Sequence, residues 1–269
     1  MTYEIHHGDC VDVMASFPAE SVDAIVTSPP YAMQRKTTYG GIPEVEYPAW
    51  TVAWMTEAWR VLKPNGSVLI NIRPHIKNGQ ISDYTLRTRL ALRESGWNEV
   101  DELIWHKTDA MPTGSPRKPR RSWESIHWFA KHGQPYSDAK ANGWPTKRET
   151  DLDRYGQHTR RADWTHYDSG NPASTPTITR CSDVASMSKG NASTGHPAPF
   201  PVSLAEWLGK LVCPPGGTIL DPFSGSASTG VAAIRNGWDY IGIDAVEEYV
   251  NMSRERLHQE SLTFTHQGT

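Results

Sequence analysis

Short apolar runs alternate with amphipathic stretches at both ends of this 269-residue chain. Near the N-terminus, the β-branched segments 21–28 and 68–72 have the composition of buried strands. Between them, apolar side chains from Trp50 to Leu62 recur at helical spacing, and the following Asn65-Gly66 is typical of a helix stop. This strand–helix–strand order predicts a parallel sheet.

The same alternation continues beyond these elements and returns near the C-terminus. The further predicted elements are a helix at Leu86–Gly96, a strand at Glu102–Trp105, a helix at Leu204–Val212, a strand at Thr218–Asp221, a helix at Ala227–Ile234, a strand at Tyr240–Asp244 and a helix at Val246–Leu257. The polar C-terminal end is expected to fray. We therefore expect an α/β protein with helices on both faces of a mostly parallel sheet.

The middle of the chain has a different composition. Residues 106–199 are rich in Pro, Gly, Ser, Thr, Asn and Arg, and within them only Trp123–Ala130 has the pattern of a sheet strand. A segment so poor in apolar residues buries little core by itself, which is typical of a long functional insertion or of a partly disordered one. The sequence thus predicts three zones, residues 1–105, 106–199 and 200–269.

Composition and charge exclude some broad classes of protein. At 37% hydrophobic residues the chain can form a core, and its net charge of −3 argues against a uniformly basic nucleic-acid binder. The average hides an asymmetry, because residues 103–161 carry twelve Lys and Arg against six Asp and Glu, or +6, which leaves −9 on the remainder. A basic insertion on an acidic body would orient the chain on a polyanion.

Signals for export, membrane insertion and metal binding are weak. The chain shows no signal peptide or membrane-spanning apolar run, and its three cysteines (Cys10, Cys181 and Cys213) form no C-x-x-C pair. The histidines are scattered, and the adjacent His6 and His7 have poor geometry for two ligands of one metal. We expect a reduced, cytoplasmic protein with no membrane segment and no metal site.

A loop of small residues, Asp221 to Gly230 (DPFSGSASTG), joins a predicted strand to the next helix. Gly225 lets a ligand approach the backbone, the helix N-terminus offers amide donors, and Asp244 ends the next strand, where it can accept hydrogen bonds from ribose. The loop lacks both the G-x-G-x-x-G of nicotinamide sites and the lysine of a P-loop. A plain tight turn is one interpretation. S-adenosylmethionine is the better one, with Asp221 as partner of its ammonium and the loop amides and hydroxyls as partners of its carboxylate.

A second loop, Thr27-Ser28-Pro29-Pro30-Tyr31, directly follows a buried strand. The two prolines have a fixed φ and no N–H, so their carbonyls project rigidly beside the Ser28 hydroxyl. These acceptors match an exocyclic amino group on a planar base that stacks on Tyr31. Pro-Pro also ends many strands for structural reasons alone, but the carboxyl end of a parallel strand is where open α/β sheets bind ligands.

Together these motifs resemble those of the DNA amino-methyltransferases, which carry (D/N/S)-P-P-(Y/F/W) and D-P-F-x-G-S-G. The resemblance covers most of the chain and includes His7–Cys10, Arg60–Gly66, Ile104–Lys107 and His196–Pro201. The catalytic motif precedes the cofactor motif with the insertion between them, which is similar to the β-class order of that family. The chain departs from the pattern at Ala227, where glycine is frequent and alanine is expected to be harmless, and at Ala198-Pro199, where a Thr/Glu-Lys pair is common.

The resemblance implies a Rossmann-like class I methyltransferase sheet in which distant residues meet at one S-adenosylmethionine pocket. There Asp9 contacts the adenine amino group, Cys10 the adenine edge and Asp244 the ribose. Phe200 lies against the adenine or methionine part, with simple packing as the alternative. The implied cofactor-binding residues are Asp9, Cys10, Thr27, His196, Phe200, Asp221, Pro222, Phe223, Ser224, Gly225, Ser226 and Asp244.

The implied catalytic residues are Ser28, Pro29, Pro30 and Tyr31. The implied reaction is site-specific methylation of double-stranded DNA, in which a flipped base is held by Ser28 Oγ and the Pro29 carbonyl and its amino nitrogen attacks the sulfonium methyl group directly. Serine at the first motif position is associated in the family with the N4 of cytosine, and the N6 of adenine is the alternative. A nucleotide-dependent oxidoreductase is disfavoured because its glycine motif is missing. A non-catalytic DNA-binding module is disfavoured because both reactive motifs are intact.

The basic insertion is the region expected to contact DNA. Its candidate residues, whose cations would neutralise phosphates or read guanine edges and whose aromatic ring would stack, are Lys107, Arg117, Lys118, Arg120, Arg121 and Trp123. A solvated surface role is the default for any single arginine, so this interpretation depends on the cluster as a whole. A cognate restriction endonuclease is a candidate partner, and the chain is expected to act as a monomer or a homodimer.

Overall fold

The structure is a computed structural model that describes residues 1–33, 41–111, 117–144, 178–189 and 201–267. The chain forms two compact units. The larger one comprises Met1–Ser137 and Asp183–Thr269, and the smaller one Asp138–Ser182. The predicted cofactor residues His196 and Phe200 lie outside the described residues, so their roles stay predictions.

The larger unit contains an eight-stranded sheet. Its strands, numbered along the chain, are β1 Tyr3–His7, β2 Val22–Thr27, β3 Leu62–Ile72, β6 Asn98–Lys107, β7 Trp123–Ala130, β8 Val184–Met187, β9 Thr218–Asp221 and β10 Asp239–Asp244, while β4 Ile76–Lys77 and β5 Gln80–Ile81 form a separate hairpin. The strand order is β1-β10-β9-β2-β3-β7-β6-β8. All neighbouring pairs are parallel except the two that involve β7, which runs antiparallel to β3 and β6. The predicted mostly parallel α/β fold is therefore confirmed.

Helices cover both faces of this sheet. They are α1 Cys10–Ala15, α2 Tyr47–Val61, α3 Tyr84–Glu94, α4 Val202–Val212, α5 Ser228–Asn236 and α6 Glu247–Gln267. Helix α2 packs on both α1 and α3, and helix α5 packs on both α4 and α6. Ala24, Ile25 and Val26 of β2 are all fully buried. Since successive strand residues point to opposite faces, neither face of the central sheet is open to solvent.

Two local expectations need correction, and one strand was not predicted. The helix expected to stop at Asn65-Gly66 ends at Val61, because β3 already pairs with β2 from Leu62. The C-terminal segment, which was expected to fray, is instead part of α6, which extends to Gln267 because no Gly or Pro interrupts the helix. The edge strand β1 is not among the predicted elements, since only its central residue, Ile5, is buried.

The predicted zone boundaries at residues 105/106 and 199/200 stay predictions. Within the middle zone, β7 and β8 belong to the main sheet, while Asp138–Ser182 forms the smaller unit. In that unit two backbone hydrogen bonds join described residues that are distant in the sequence, from Thr179 N–H to the Trp144 carbonyl at 3.0 Å and from Cys181 N–H to the Ala139 carbonyl at 2.8 Å. Among the described helices, none is long and apolar enough to cross a membrane.

The direction of the strands brings distant segments to one edge of the sheet. The loops that follow β1, β2, β9 and β10 all leave from the carboxyl edge, where open α/β sheets bind ligands. Because β7 is antiparallel, its first residues lie at that same edge, and Glu124 is opposite Trp105 near the end of β6. The carboxyl edge is therefore the place to look for a functional site.

Candidate active site

A cavity of about 300 Å³ opens at this edge beside β1, β9 and β10. Its lining comprises Gly8, Asp9, Cys10, Pro30, Ile42, Trp50, Pro222, Phe223, Asp244, Ala245 and Val246. The predicted cofactor residues Asp9, Cys10, Pro222, Phe223 and Asp244 thus meet around one space, and Pro30 of the predicted catalytic loop borders it. The volume is at the lower end of the range for small-molecule sites.

Two carboxylates face this cavity and are oriented by backbone amides. Asp9 Oδ1 accepts a hydrogen bond from Val11 N–H at 2.8 Å. Asp244, at the end of β10, accepts one from Gly225 N–H at 2.8 Å and another from Val246 N–H at 2.9 Å. Backbone amides thus fix the orientation of both carboxylates at the cavity wall.

Aromatic rings form another wall of the cavity. Trp50 of α2 and Phe223 lie with their ring centroids 5.4 Å apart, and Trp54 meets Phe223 edge to face at 5.3 Å. Trp50 shares the helical spacing of core residues, so its sequence position did not mark it as part of a site.

Cys10 is a further residue of the cavity lining and is buried. Burial raises the pKa of its thiol to about 12. At neutral pH the thiol therefore keeps its proton.

Asp221 directly precedes two residues of the cavity lining but is not itself part of that lining. The carboxylate accepts hydrogen bonds from the hydroxyls of Thr27 at 2.6 Å and Thr229 at 2.9 Å, and from Phe223 N–H at 3.1 Å. Burial raises the pKa of Asp221 to about 6, against the opposing effect of these donors. Asp221 and Thr27 thereby join the ends of β9 and β2, and the pairing of Asp221 with a ligand ammonium stays a prediction.

The small-residue loop after β9 is held mainly by its own protein contacts. The amides of Phe223, Ser224, Gly225 and Ala227 all donate hydrogen bonds to protein oxygens. The Ser224 hydroxyl hydrogen-bonds the Tyr240 hydroxyl at 2.9 Å. These four amides already donate to protein oxygens, and the binding of a ligand carboxylate by this loop stays a prediction.

Ala227 adopts a left-handed backbone conformation, with φ 55° and ψ 43°, where it precedes α5. An L-residue with a Cβ pays about 1 kcal/mol there, whereas glycine does not. Glycine would therefore be favourable at this position, and the alanine, which the sequence analysis expected to be harmless, lowers the stability of the folded chain.

We expect Ala227→Gly to raise the free energy of unfolding by about 0.5–1 kcal/mol, measured by urea denaturation, because the substitution relieves this backbone strain. An equal or lower stability would contradict the strain.

Two buried tyrosines on neighbouring helices form hydrogen bonds with the backbone of the predicted catalytic loop. Tyr47 of α2 donates a hydrogen bond from its hydroxyl to the Pro30 carbonyl at 3.0 Å. Tyr84 of α3 accepts one from Ala32 N–H and donates to the Arg73 carbonyl at 2.7 Å. Tyr47 thus fixes the position of the Pro30 carbonyl, and the roles of Ser28 Oγ and the Pro29 carbonyl toward a substrate stay predictions.

A cluster of polar side chains lies behind Tyr31 and was missed by the sequence analysis. Glu124, at the start of β7, accepts hydrogen bonds from the Tyr31 hydroxyl at 2.7 Å and from Asn71 Nδ2 at 2.9 Å. Asn71 Nδ2 also lies 3.1 Å from the Tyr31 hydroxyl and 3.4 Å from Ser28 Oγ. Both residues lie within apolar strand patterns, so only their polar character inside a buried strand signalled a function.

The predicted DNA-contacting residues divide into two groups. Lys107 is only 12% exposed, pairs with Glu124 and lies 4.3 Å from the centre of the Trp105 ring. Its charge is compensated inside the protein, which makes it a poorer phosphate ligand than the sequence suggested. The exposed group consists of Arg117, Lys118, Arg120 and Trp123, with the half-buried Arg121 beside them. These five lie just before β7 or at its first residue, at the same edge as the catalytic loop.

Comparison with known proteins agrees with this geometry. Residues 22–255 match the family model described as DNA methylase, which covers the N6 and N4 methyltransferases. The type II methyltransferase M.PvuII of Proteus hauseri is 26% identical, over 95% of this chain and 84% of the relative. M.Cfr9I of Citrobacter freundii, also a type II methyltransferase, is 27% identical, over 95% of this chain and 88% of its own length.

Solved structures show the same fold. The cytosine-N4-specific PvuII DNA methyltransferase superposes with a TM-score of 0.72 at 22% identity, over 98% of this chain and 93% of the other. The complex of M1.HpyAVI with SAM superposes with a TM-score of 0.63 at 21% identity, over 95% and 99% of the two chains. The sheet has the Rossmann-like fold of these methyltransferases. Since the family model spans most of its length, the chain belongs to the DNA methylase family.

Proposed function

We propose that this DNA methylase transfers a methyl group from S-adenosylmethionine to the exocyclic N4 of cytosine in duplex DNA. The observation that carries the proposal is the Ser28–Tyr31 loop, whose Pro30 borders the cavity while its Ser28 and Tyr31 side chains join the Glu124 cluster. Hydrogen-bond acceptors for an amino group and a cavity for the methyl donor are thus adjacent. The cytosine-N4-specific relative supports the choice of base.

The cavity residues fit S-adenosylmethionine chemically. Asp244 and Asp9 offer carboxylate acceptors to ribose hydroxyls and an adenine amino group, and Trp50 and Phe223 offer aromatic faces to the purine. The bound cofactor supplies an electrophilic methyl group on a sulfonium centre. The protein's contribution is to hold the two reactants in line, which is a major source of rate enhancement in such transfers.

The catalytic loop acts on the target base. Tyr31 provides a stacking surface for a base flipped out of the duplex. Ser28 Oγ and the Pro29 carbonyl accept the two N–H groups of the amino nitrogen, which directs its lone pair away from the ring and toward the methyl group. The same acceptors stabilise the positive charge that develops on that nitrogen during the attack. No covalent bond between enzyme and base is required.

Identification of the modified base tests the proposed function. The full chain is incubated with S-adenosylmethionine carrying a labelled methyl group and with duplex DNA, and the DNA is digested to nucleosides for mass spectrometry. We expect labelled N4-methylcytosine. If the only labelled product is N6-methyladenine, the target is the N6 of adenine and not the N4 of cytosine. If no labelled methyl group reaches the DNA, the proposal is wrong.

The pairing of Asp221 with the cofactor's ammonium predicts a pH-dependent affinity. A carboxyl group with a pKa of about 6 is ionised above that pH and neutral below it. We therefore expect the Kd for S-adenosylmethionine, measured by calorimetry, to rise below pH 6 toward about tenfold per pH unit. Asp221→Asn should bind more weakly at pH 7.5 and lose this dependence. An Asp221→Asn variant that retains the wild-type profile would assign the pH effect to another group.

Arg120 and Arg121 are the proposed phosphate contacts. Arg121 is held by a hydrogen bond from Nη2 to the Pro74 carbonyl at 2.7 Å, and Arg120 Nη1 lies 3.3 Å from the Ala110 carbonyl. Two lost phosphate contacts should lower the slope of log K against log salt by about 2. We expect Arg120→Ala/Arg121→Ala to weaken DNA binding about tenfold at 150 mM salt, measured by fluorescence anisotropy, with an unchanged cofactor Kd.

A charge-matched control separates contact from net charge. Arg87→Ala/Arg93→Ala removes the same two charges from exposed positions of α3. That variant should retain the wild-type DNA affinity and salt slope. If the two double variants behave alike, or if Arg120→Ala/Arg121→Ala binds DNA normally at low salt, these arginines are not DNA contacts.

The proposal also concerns the partners of the enzyme and its cellular location. The two curated relatives are named type II methyltransferases, which supports a role beside a cognate restriction endonuclease. Protection of host DNA from type II endonucleases in cells that express the chain would identify the matching recognition site. We propose that the enzyme acts in the cytoplasm as a monomer or a homodimer. Sedimentation with and without DNA decides between the two assembly states.

A further inference from the structure

A short hairpin follows β3 at the carboxyl edge of the sheet. Its strands, β4 and β5, are joined by Asn78-Gly79, and both turn residues have positive φ values, 51° and 80°. Asn-Gly is the pair that two-residue hairpin turns favour, because such turns require this backbone region. At the base of the hairpin, Ser82 N–H donates a hydrogen bond to the His75 carbonyl at 2.9 Å.

Glu44 anchors both ends of this hairpin. A two-stranded hairpin is only marginally stable in water by itself, so it needs contacts outside its own strands. Before β4, His75 Nε2 lies 2.9 Å from Glu44 Oε1, and Lys77 Nζ lies 3.5 Å from the same oxygen. After β5, the Ser82 hydroxyl donates to Glu44 Oε2 at 2.7 Å. One carboxylate thus fixes the hairpin to the rest of the protein.

The apolar face of the hairpin is exposed to solvent. Ile76 and Ile81 are directly opposite each other, so they share one face, and they are 44% and 67% exposed. Lys77 and Gln80 share the other face, from which Lys77 reaches Glu44. A hairpin with a purely structural role would bury its isoleucines and expose its polar pair. The reverse arrangement indicates a surface that another molecule covers.

Two buried tyrosines place the hairpin next to the catalytic loop. Tyr84 donates to the Arg73 carbonyl at 2.7 Å, just before β4, and its ring stacks on that of His75 with centroids 5.6 Å apart. The Tyr47 ring meets the Tyr84 ring at 4.9 Å, and the Tyr47 hydroxyl donates to the Pro30 carbonyl at 3.0 Å. One pair of contacting rings therefore holds both the hairpin and the loop that receives the target base.

The surroundings of the hairpin favour DNA as the molecule that covers it. Arg121, a proposed phosphate contact, donates a hydrogen bond to the Pro74 carbonyl at 2.7 Å, directly before the hairpin. Residues 73–82 include an arginine and a lysine but no Asp or Glu, so no acidic side chain of this segment repels a polyanion. The exposed isoleucines are thus continuous with the proposed DNA interface on one side and with the catalytic loop on the other.

We propose that Ile76 and Ile81 form an apolar wedge that enters the base stack of the duplex and fills the space that the target base leaves when it rotates into the active site. A flipped base exposes the faces of its neighbours to water, and apolar side chains that occupy the gap restore the lost contacts. This inference rests on the proposed function. The wedge acts before the chemical step and touches neither the cofactor nor the reacting amino group.

Ile76→Ala/Ile81→Ala shortens the wedge without changing the charge. On a duplex oligonucleotide that contains a sequence methylated by the wild type, we expect the single-turnover rate to fall about tenfold, with the Kd for S-adenosylmethionine within about twofold of wild type. On the same duplex with the target cytosine opposite an abasic site, no base pair resists flipping. There the rate loss should shrink to about twofold.

A fluorescent base reports on the flipping step itself. The cytosine analogue pyrrolocytosine is quenched when it is stacked, so at the target position its emission rises when the enzyme flips it. The rise should be several times smaller with Ile76→Ala/Ile81→Ala than with the wild type. An equal rise in the two proteins would contradict the wedge.

Two control variants separate the wedge from a general loss of apolar surface. Ile76→Val/Ile81→Val keeps most of the apolar volume and should restore the rate on the paired duplex to within about twofold of wild type. Leu262→Ala/Phe264→Ala removes side chains of similar exposure, 50% and 40%, from the last turns of α6. Since α6 begins at the carboxyl edge, these turns lie about 20 Å along the helix from that edge, and this variant should match the wild type on both duplexes.

The outcomes separate this inference from the proposed function. Wild-type enzyme that transfers no methyl group to DNA overturns both. With an active wild type, a wild-type rate for Ile76→Ala/Ile81→Ala on the paired duplex overturns only the wedge, and so does an equal loss on the paired and abasic duplexes. A variant that methylates normally but changes the oligomeric state in sedimentation would instead make this face a contact between copies of the chain.

A second substitution keeps the test decisive if the alanine variant fails to fold, as shown by its thermal melt. Ile76→Thr/Ile81→Thr retains the β-branched shape that suits a strand but replaces a part of each apolar side chain by a hydroxyl. The same comparison between the paired and abasic duplexes then applies to this variant, and equal rates relative to wild type on both would overturn the inference.

Discussion

Tyr31→Ala is expected to lower kcat/KM for methyl transfer about 1,000-fold, which corresponds to about 4 kcal/mol of transition-state stabilisation. The substitution removes both the stacking surface for the flipped base and the hydroxyl that donates a hydrogen bond to Glu124. Tyr31 does not line the cofactor cavity, so the Kd for S-adenosylmethionine should stay within twofold of wild type. Steady-state kinetics and calorimetry measure the two quantities on the same preparation.

Tyr31→Phe is the control that separates the two losses. It keeps the ring, so the difference between the Phe and Ala variants reports on stacking, whereas the loss in the Phe variant reports on the hydroxyl. A Tyr31→Ala variant that loses cofactor binding together with its thermal transition would show that Tyr31 is structural, and its catalytic assignment would then be wrong.

The second large effect concerns stability in acid. His127 lies within β7 with 5% exposure, and neither ring nitrogen has a hydrogen-bond partner among the described residues. Burial, together with the positive charge of Arg89, lowers the pKa of His127 to about 4, although Glu102 opposes this shift. The unfolded chain binds a proton there near pH 6.5, whereas the folded chain does so only near pH 4.

The sign of the effect follows from these proton affinities. Between pH 6.5 and 4 the unfolded state carries the extra proton, so the free energy of unfolding falls as the pH falls. His127 alone should remove about 3 kcal/mol across that window. His127→Phe should match or exceed wild-type stability at pH 7.5 and lose much less stability by pH 4.5, as measured by urea denaturation.

The exposed His132 supplies a comparison. His132→Phe makes the same substitution in the turn after β7, where the side chain is solvated. That variant should keep the acid sensitivity of wild type. If His127→Phe shows the wild-type loss of stability between pH 6.5 and 4.5, the buried histidine is not the source of the acid sensitivity.

Much of the fold was predictable from local patterns. The strand at Thr218–Asp221 was predicted with its observed bounds, and those at 21–28 and Tyr240–Asp244 within one residue at each end. Buried parallel strands are short, apolar and β-branched, and turn residues delimit them, so neighbouring residues contain the information. The edge strand β1 lacked such a signal, because half-exposed edge positions accept polar residues.

The two motif loops were predictable for a related reason. Pro29-Pro30 and Gly225 constrain the backbone wherever they occur, so the sequence alone indicated rigid carbonyls at one strand end and a close approach at the other. It also indicated the class of reaction, because acceptors beside an aromatic ring suit an amino group on a base. The structure places both loops at the carboxyl edge of one sheet, with Pro30 and Phe223 in the same cavity wall.

The remaining parts of the site depend on contacts between residues that are distant in the sequence. Glu124 and Tyr31 are 93 positions apart, and Asp221 and Thr27 are 194 positions apart. No local pattern distinguishes a glutamate that will be buried against the catalytic loop from an ordinary one at the start of an apolar strand, and Lys107 had the same appearance as the surface lysines. The sequence by itself determined the sheet, the loops and the chemistry that they suit. Only the tertiary structure decided which charges face one another, because the antiparallel direction of β7 brings Glu124 to the edge where the parallel strands end.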